Sequence, residues 1–317
     1  MIKKSGQPAV PAAADRQRAE PLPWQKPKSS SEDPESPAKL EAILNNPSYE
    51  PAIEDVDFLR GDDARGVRIQ LDYLKPESLL NEHGVRHTIV VFGSTRIVEP
   101  AAAKMHVEQL RGALSAEPGS GDLERRLRVA ERILAKSQYY DVAREFAGLV
   151  AQAGDGPTDS RLVVLTGGGP GLMEAANRGA HEAGAKTVGL NITLPHEQYP
   201  NPYVTPELCF QFHYFALRKM HFMMRAKALV AFPGGFGTFD ELFETLTLIQ
   251  TRKINPLPVV LVGEEYWRNV IDLDFLVDEG VIDVEDRDLF WYAETAEMIW
   301  KGLLNWYEQS DEDLIEG

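Results

Sequence analysis

The sequence predicts an α/β protein with a Rossmann-like doubly wound parallel sheet flanked by helices. Short runs rich in β-branched residues recur along the chain, and each is followed by glycines and then by an amphipathic segment. These runs are continuously hydrophobic rather than alternating, as expected for strands that are covered on both faces. Helical segments between successive strands imply right-handed crossover connections, which join parallel strands.

Five segments are predicted to supply the strands and their glycine turns: 87–95, 161–169, 186–192, 228–232 and 257–262. Helices are expected where apolar residues recur at helical spacing, over 123–153, 172–184, 214–225, 239–251, 266–280 and 295–307. The stretch AEPGSGD breaks the pattern ahead of the first of these helices.

The ends of the chain differ in composition from its middle. Residues 1–40 are rich in Pro, Ala, Ser and charge, which predicts a flexible tail. Residues 41–308 are expected to form one catalytic domain, with a helical lead-in over 41–86 and a helical insertion over 100–155. The acidic residues 309–317 are interpreted as a solvated tail.

Composition limits the classes of function. The 317 residues are 43% hydrophobic, enough for a substantial core, and carry a formal net charge of -16. That charge opposes long-range attraction to nucleic acid polymers and to anionic membranes, so an anion would have to be bound locally. The single cysteine, Cys209, cannot form an internal disulfide and is interpreted as a small core residue. With neither a signal peptide nor a bilayer-spanning apolar run in the sequence, we expect a cytoplasmic protein.

Three glycine-rich turns follow predicted strands, at 92–96, 166–171 and 233–238. Ligands of doubly wound sheets collect at the carboxyl ends of the strands, where such turns lead into helix N-termini and exposed N–H groups favour an anion. Together the turns predict a phosphate cradle. The chain lacks a Walker A ending and a clean GxGxxG after the first strand, which argues against an ATPase and an ordinary NAD site. A mononucleotide monophosphate fits the small number of basic residues better.

The motif FPGGFGTFDELF, residues 232–243, has two interpretations. Thr238 and Glu241 have the spacing of a capping box, in which both side chains satisfy N–H groups at a helix start. Alternatively, the glycines bring those N–H groups to a phosphate, and Glu241 remains free for chemistry. In the helix before this motif, Arg225 is interpreted as a surface charge and His221 as a packing residue.

The motifs LRKM at 217–220, PGGFGTFDE at 233–241 and TGGGPGLM at 166–173 resemble those of the Lonely Guy family of cytokinin riboside 5′-monophosphate phosphoribohydrolases, in a long, bacterial-type form. The central match spans residues 87–265. Members of this family have been labelled lysine decarboxylases, but nothing in the sequence supports a pyridoxal phosphate site. The resemblance implies hydrolysis of the N-glycosidic bond of a nucleoside 5′-monophosphate, without a cofactor or metal.

The resemblance also implies roles for individual residues. Arg218 and Glu241 become the catalytic pair, which favours the second interpretation of the glycine motif. The substrate contacts implied are Ser94, Gly168 or Gly169, Glu197, Lys219, Gly234, Gly235, Gly237, Thr238 and Thr247. A planar guanidinium can position a ligand oxygen, and a carboxylate beside the ribose can stabilise developing positive charge or activate water.

Some questions stay open at this point. The N-terminal extension and the helical insertion are additions to the compact family pattern, so AMP is as plausible a substrate as a cytokinin nucleotide. A nucleotide-binding carrier without catalysis is the alternative function. The helix over 239–251 could contribute to a homodimer or a larger homo-oligomer, although core packing explains the same residues.

Overall fold

The computed structural model describes residues 20, 22–195, 199–310 and 312–315. The chain divides into two compact units, residues 1–67 and residues 68–317. The first unit contains two short helices, α1 (Ser36–Leu44) and α2 (Val56–Arg60), and neither of them buries a residue. The boundary falls inside α3 (Arg65–Glu82), which is longer than the short helices expected for this region.

The second unit is built on a parallel β-sheet. Its strands are β1 (His87–Phe92), β2 (Leu162–Thr166), β3 (Thr187–Ile192), β4 (Cys209–Phe212), β5 (Ala226–Ala231), β6 (Val259–Val262) and β7 (Trp291–Ala293). In the described residues the order is β4-β3-β2-β1-β5-β6-β7, and every neighbouring pair is parallel. This confirms the predicted fold class and the five predicted strands.

Two short edge strands, β4 and β7, were not predicted. They have four and three residues, too few to give a clear hydrophobic run. Cys209 begins β4, and its sulfur lies 3.3 Å from Nδ2 of Asn191 on the neighbouring strand β3. Burial raises the pKa of the Cys209 thiol, in keeping with its interpretation as a packing residue.

Alternate residues of β1 face opposite sides of the sheet, because successive strand side chains point in opposite directions. Ile89 and Val91 join a core with α6 (Gln138–Ala151), α7 (Leu172–Glu182) and α12 (Ala296–Ser310). Val90 and Phe92 join a second core with α3, α8 (Phe215–Met224) and α9 (Phe236–Gln250). Helices therefore cover both faces of the sheet.

The predicted helical insertion is three helices: α4 (Pro100–Ala116), α5 (Gly121–Lys136) and α6. The helix expected over 123–153 is interrupted at Ser137, whose hydroxyl donates to the carbonyl of Leu134 at 2.7 Å. Similarly, the helix expected over 266–280 is two helices, α10 (Glu264–Val270) and α11 (Leu273–Asp278), the second capped by Asp272. Within the described ranges, every helix is too short or too polar to cross a membrane.

The strand order reverses between β1 and β5. The chain proceeds from β1 through β2 and β3 to β4 on one side, and β5 then returns to pair with β1 on the other. The turns after these two strands meet, since the amide of Ser94 donates to the carbonyl of Pro233 at 3.0 Å. Such a reversal leaves a crevice outside the carboxyl ends of the strands.

Candidate active site

A cavity of about 570 Å³ occupies this crevice. Its walls come from the turn after β1, the turn after β5, the first turns of α9, two residues of α8 and one residue of α7. The lining residues include Gly93, Ser94, Thr95, Arg96, Met173, Phe215, Arg218, Gly234, Gly235, Phe236, Gly237, Thr238, Asp240 and Glu241. The proposed catalytic pair and two of the three glycine turns thus border one space.

Arg218 reaches the cavity from α8 and is held by backbone carbonyls. Its Nε donates to the carbonyl of Leu190 at 2.7 Å, and Nη2 lies 3.4 Å from the carbonyl of Gly167. The guanidinium carbon is 5.1 Å from the ring centroid of Phe222, which supports the charged plane from one side. Burial lowers the pKa of Arg218, and the negative charge of Glu241 raises it in part. The guanidinium nevertheless stays protonated, as arginines do in proteins.

Glu241 is buried, with 6% of its surface exposed. Burial raises the pKa of its carboxyl group to about 7, and the charge of Lys219 acts in the opposite direction. The Lys219 Nζ lies 3.5 Å from Glu241 Oε1 and 3.0 Å from Asp240 Oδ2, and it also pairs with Glu244. Glu241 can therefore gain or lose a proton near neutral pH, whereas Lys219 is held as a cation among three carboxylates.

The structure excludes one of the two interpretations of the glycine motif. Helix α9 begins at Phe236 with Gly235 as its N-cap, three residues earlier than expected. Thr238 is thus the third residue of the helix and Glu241 the sixth, so the capping-box interpretation is wrong. The first N–H groups of a helix have no intrahelical acceptor, and here they border the cavity.

Gly234 is needed for the close approach of this turn to α9. A Cβ at Gly234 would lie 2.0 Å from the Thr238 hydroxyl oxygen, whereas one at Gly235 would meet no atom within 4 Å. The Tyr266 hydroxyl donates to the carbonyl of Gly234. Because the N–H of a trans peptide points opposite to its carbonyl, this bond directs the amide of Gly235 away from Tyr266.

The remaining predicted contacts are divided between three places. Ser94 lines the cavity, and its hydroxyl accepts from the amide of Arg96 at 3.1 Å. Thr247 and Lys219 line a neighbouring surface pocket of about 470 Å³ instead. Glu197 lies outside the described residues.

Gly168 and Gly169 are buried and are not among the residues that line the cavity. Their carbonyls accept from the backbone amide and the side-chain amide of Asn201, at 2.8 and 3.0 Å. Gly168 has φ of +71°, and a Cβ there would lie 2.4 Å from Asn191. The second glycine turn therefore packs against β3, while its neighbour Gly167 offers a carbonyl to Arg218.

Sequence reasoning missed several lining residues. Arg96 ends the first glycine turn, and its charge beside a predicted phosphate cradle was a usable signal. Asp240 lines the cavity and pairs with Lys219. Met173, Phe215 and Phe236 carry no sequence signal that separates them from core residues, although 93% of the surface of Phe236 is exposed.

Comparison with known proteins places these features in a family. Residues 173–303 match a family described as "Possible lysine decarboxylase". The chain is 30% identical over 174 residues to cytokinin riboside 5′-monophosphate phosphoribohydrolase LOG3 of Arabidopsis thaliana, covering 53% of this chain and 75% of that protein. It is 32% identical over 138 residues to the probable phosphoribohydrolase LOG4 of Oryza sativa subsp. japonica, covering 42% of this chain and 58% of that protein.

Among solved structures, the molybdenum cofactor carrier protein of Chlamydomonas reinhardtii is 19% identical, with a TM-score of 0.39, over 69% of this chain and 99% of that one. The sequence relatives have a higher identity to this chain, and the match to the Arabidopsis protein covers 75% of that protein's length. The chain therefore belongs to the Lonely Guy family, whose named relatives here are cytokinin riboside 5′-monophosphate phosphoribohydrolases.

Proposed function

We propose that this chain hydrolyses the N-glycosidic bond of a nucleoside 5′-monophosphate, AMP or a cytokinin riboside monophosphate, to the free base and ribose 5-phosphate. The observation that carries the proposal is the shared cavity. Arg218 and Glu241 border the same space as the glycine turns after β1 and β5. Family membership supports the same reaction class.

The 5′-phosphate would bind at the glycine turns. The start of α9 offers amides at Gly235, Phe236 and Gly237, and a helix N-terminus favours a dianion. Ser94 adds a hydroxyl, and Arg96 adds a positive charge at the rim. This cradle binds the phosphate through local donors, so the overall charge of -16 is no obstacle.

Glu241 would act beside the ribose. Loss of the base builds positive charge on the sugar, and a buried carboxylate stabilises that charge more strongly than one in water. The same carboxylate can accept a proton from the attacking water. Lys219, 3.5 Å from Glu241 Oε1, favours the ionised form that both roles require.

Arg218 would position the nucleotide. Bonds to two carbonyls and the ring of Phe222 hold its guanidinium in place, which leaves further N–H donors for a ligand oxygen. Among the described side chains, Arg218 and Glu241 form no ion pair with each other, and the charge of each favours the ionised form of the other.

The test is incubation of the purified chain with a panel of nucleoside 5′-monophosphates, with detection of free base and ribose 5-phosphate. Glu241→Gln and Arg218→Ala should keep the fold and lose turnover by about 100-fold or more. Glu244→Gln is the matched control, because Glu244 also pairs with Lys219 and is absent from the cavity lining. Full activity of Glu241→Gln would refute its role, and tight binding without cleavage would favour the carrier alternative.

A further inference from the structure

A second groove, of about 240 Å³, adjoins the first glycine turn. Helix α5 of the insertion forms one wall with Arg132 and Lys136, and the turn after β1 contributes Arg96. The groove shares Ser94, Arg96 and Gly234 with the main cavity, so the two spaces meet at the proposed phosphate cradle.

The cations of this groove are not neutralised. Arg96, Arg132 and Lys136 form no ion pair with any carboxylate in the part of the chain that the structure describes. By contrast, Arg125 and Arg126 on the same helix pair with Asp122 at 2.6 and 3.8 Å. In a chain with a net charge of -16, three unpaired cations around one groove create a local positive potential.

Helix stability explains only part of this arrangement. Cations near the carboxyl end of α5 offset the helix dipole, which accounts for Lys136 and, more weakly, for Arg132. It does not account for Arg96, which comes from a different element and faces the same groove. The groove also contains apolar residues. They are compatible with its positive charge, because the stems of long basic side chains pack on apolar surface while the charged ends reach solvent.

We propose that this groove binds the second phosphate of a nucleoside 5′-diphosphate. The inference rests on the proposed function, which places the first phosphate at the glycine turns. The groove shares Ser94, Arg96 and Gly234 with the cavity that contains this cradle, so a phosphate joined to the first one has this groove beside it. The helical insertion would thereby widen the ligands of this chain from nucleoside monophosphates to diphosphates.

Calorimetric titration tests the proposal, with AMP, ADP and inorganic pyrophosphate as separate probes and Glu241→Gln as the non-hydrolysing background. The double variant Arg132→Ala/Lys136→Ala should weaken ADP and pyrophosphate binding by about tenfold or more, because both cations that α5 offers to the second phosphate are lost. AMP binding should change far less. The matched control, Arg126→Ala/Arg128→Ala, removes two cations of the same helix that do not line the groove.

Unchanged ADP affinity in the Arg132/Lys136 variant overturns the proposal, as does an equal loss for AMP and ADP or an equal loss in the control. Failure of the proposed function has a different signature. If the wild-type chain does not cleave AMP, but pyrophosphate binding still depends on Arg132 and Lys136, the groove stands as an anion site and the hydrolase falls. If AMP is cleaved while the double variant binds ADP normally, only the groove is refuted.

Discussion

In the proposed reaction Glu241 combines two properties that usually exclude each other, because it is buried and yet must be charged to act on a developing cation. Burial raises the pKa of its carboxyl group to about 7. If the carboxylate is the active form, kcat/KM should rise about tenfold per pH unit below pH 7 and level off above it. The measurement is a pH profile of AMP hydrolysis from pH 5 to 9.

Controls separate Glu241 from other groups in this profile. Glu241→Gln should lose the rise near pH 7 together with most activity, whereas Glu244→Gln should keep a rise that is moved to lower pH, because the charge of Glu244 raises the pKa of Glu241. A rate that falls as pH increases through 7 would instead show that the protonated form is active. Glu241 would then be a general acid acting on the leaving base.

The same pKa has a consequence for stability. The carboxyl pKa is raised from its ordinary value of 4.5 to about 7 on folding, so the folded state holds the proton more tightly. Stability should therefore fall as pH rises from 4.5 to 7, by about 3 kcal/mol for a shift of this size, and stay lower above that range. Glu241→Gln lacks this cost, so it should unfold at a higher temperature than wild type at pH 8.5.

Thermal unfolding followed by circular dichroism at pH 5 and pH 8.5 measures this effect. The advantage of Glu241→Gln should shrink at pH 5, where wild-type Glu241 is largely protonated. An equal advantage at both pH values would assign the gain to packing rather than to charge. A stabilised but inactive variant would indicate that the site holds this carboxylate at the expense of stability.

Residue identities in the site were more predictable than residue environments. The glycines and Thr238 of the motif could be predicted to lie together, because they are adjacent in sequence. The capping-box spacing of Thr238 and Glu241 could not be excluded, since it depends on where α9 begins. Arg96 and Asp240 were missed as lining residues although both lie in predicted site motifs, because the fold decides which side chains of a motif face the cavity.

At the scale of elements, the insertion is anchored where α6 crosses α7. A Cβ at Gly179 of α7 would lie 1.9 Å from the carbonyl oxygen of Arg144 on α6, so the two backbones touch there. Gly179→Ala should force the helices apart and cost about 1–3 kcal/mol or more. Since α7 follows the second glycine turn, the variant should also weaken AMP hydrolysis.

Gly148→Ala is the matched control for this contact. Gly148 lies on α6, and a Cβ there would meet no atom within 4 Å. An alanine in an open helical position should raise stability by about 0.5–1 kcal/mol. Chemical denaturation of both variants measures the difference, and equal effects would contradict the close crossing of α6 and α7.

Long elements were predictable and their interruptions were not. The apolar spacing over 123–153 fits one helix, and only the structure shows the break at Ser137 between α5 and α6. Strand β7 has three residues, below the length at which a hydrophobic run is distinctive. The groove beside Arg96 depends on that break, because α5 ends at Lys136 against the glycine turn.

At the scale of the whole molecule, the sheet order builds the proposed anion site in a chain whose net charge is negative. Reversal between β1 and β5 brings two glycine turns together from residues that lie about 140 positions apart, Gly93 and Gly234. No local pattern in the sequence specifies that these two turns lie side by side. It follows from the crossover rules once the strands are recognised, which is why the cavity could be anticipated but not its shape.

The homo-oligomer expected from the sequence is a further prediction at the scale of the whole molecule. An apolar surface is formed by residues of α9, α10 and α11. Its members Phe243, Val270 and Phe275 have 42%, 43% and 57% of their surface exposed. Exposed apolar side chains that cluster in this way are typical of an interface. Because each copy carries a net charge of -16, an apolar contact is the surface on which two copies would associate despite their repulsion.

We therefore expect a homodimer through this surface, measured as a doubled mass by light scattering after size exclusion. Phe243→Asp/Phe275→Asp should give the monomer mass, since two buried carboxylates without partners oppose association strongly. Met105→Asp, on the exposed face of α4, is the control and should remain dimeric. Raising the salt concentration should strengthen the wild-type dimer by screening its charge, whereas a contact held by ion pairs would weaken.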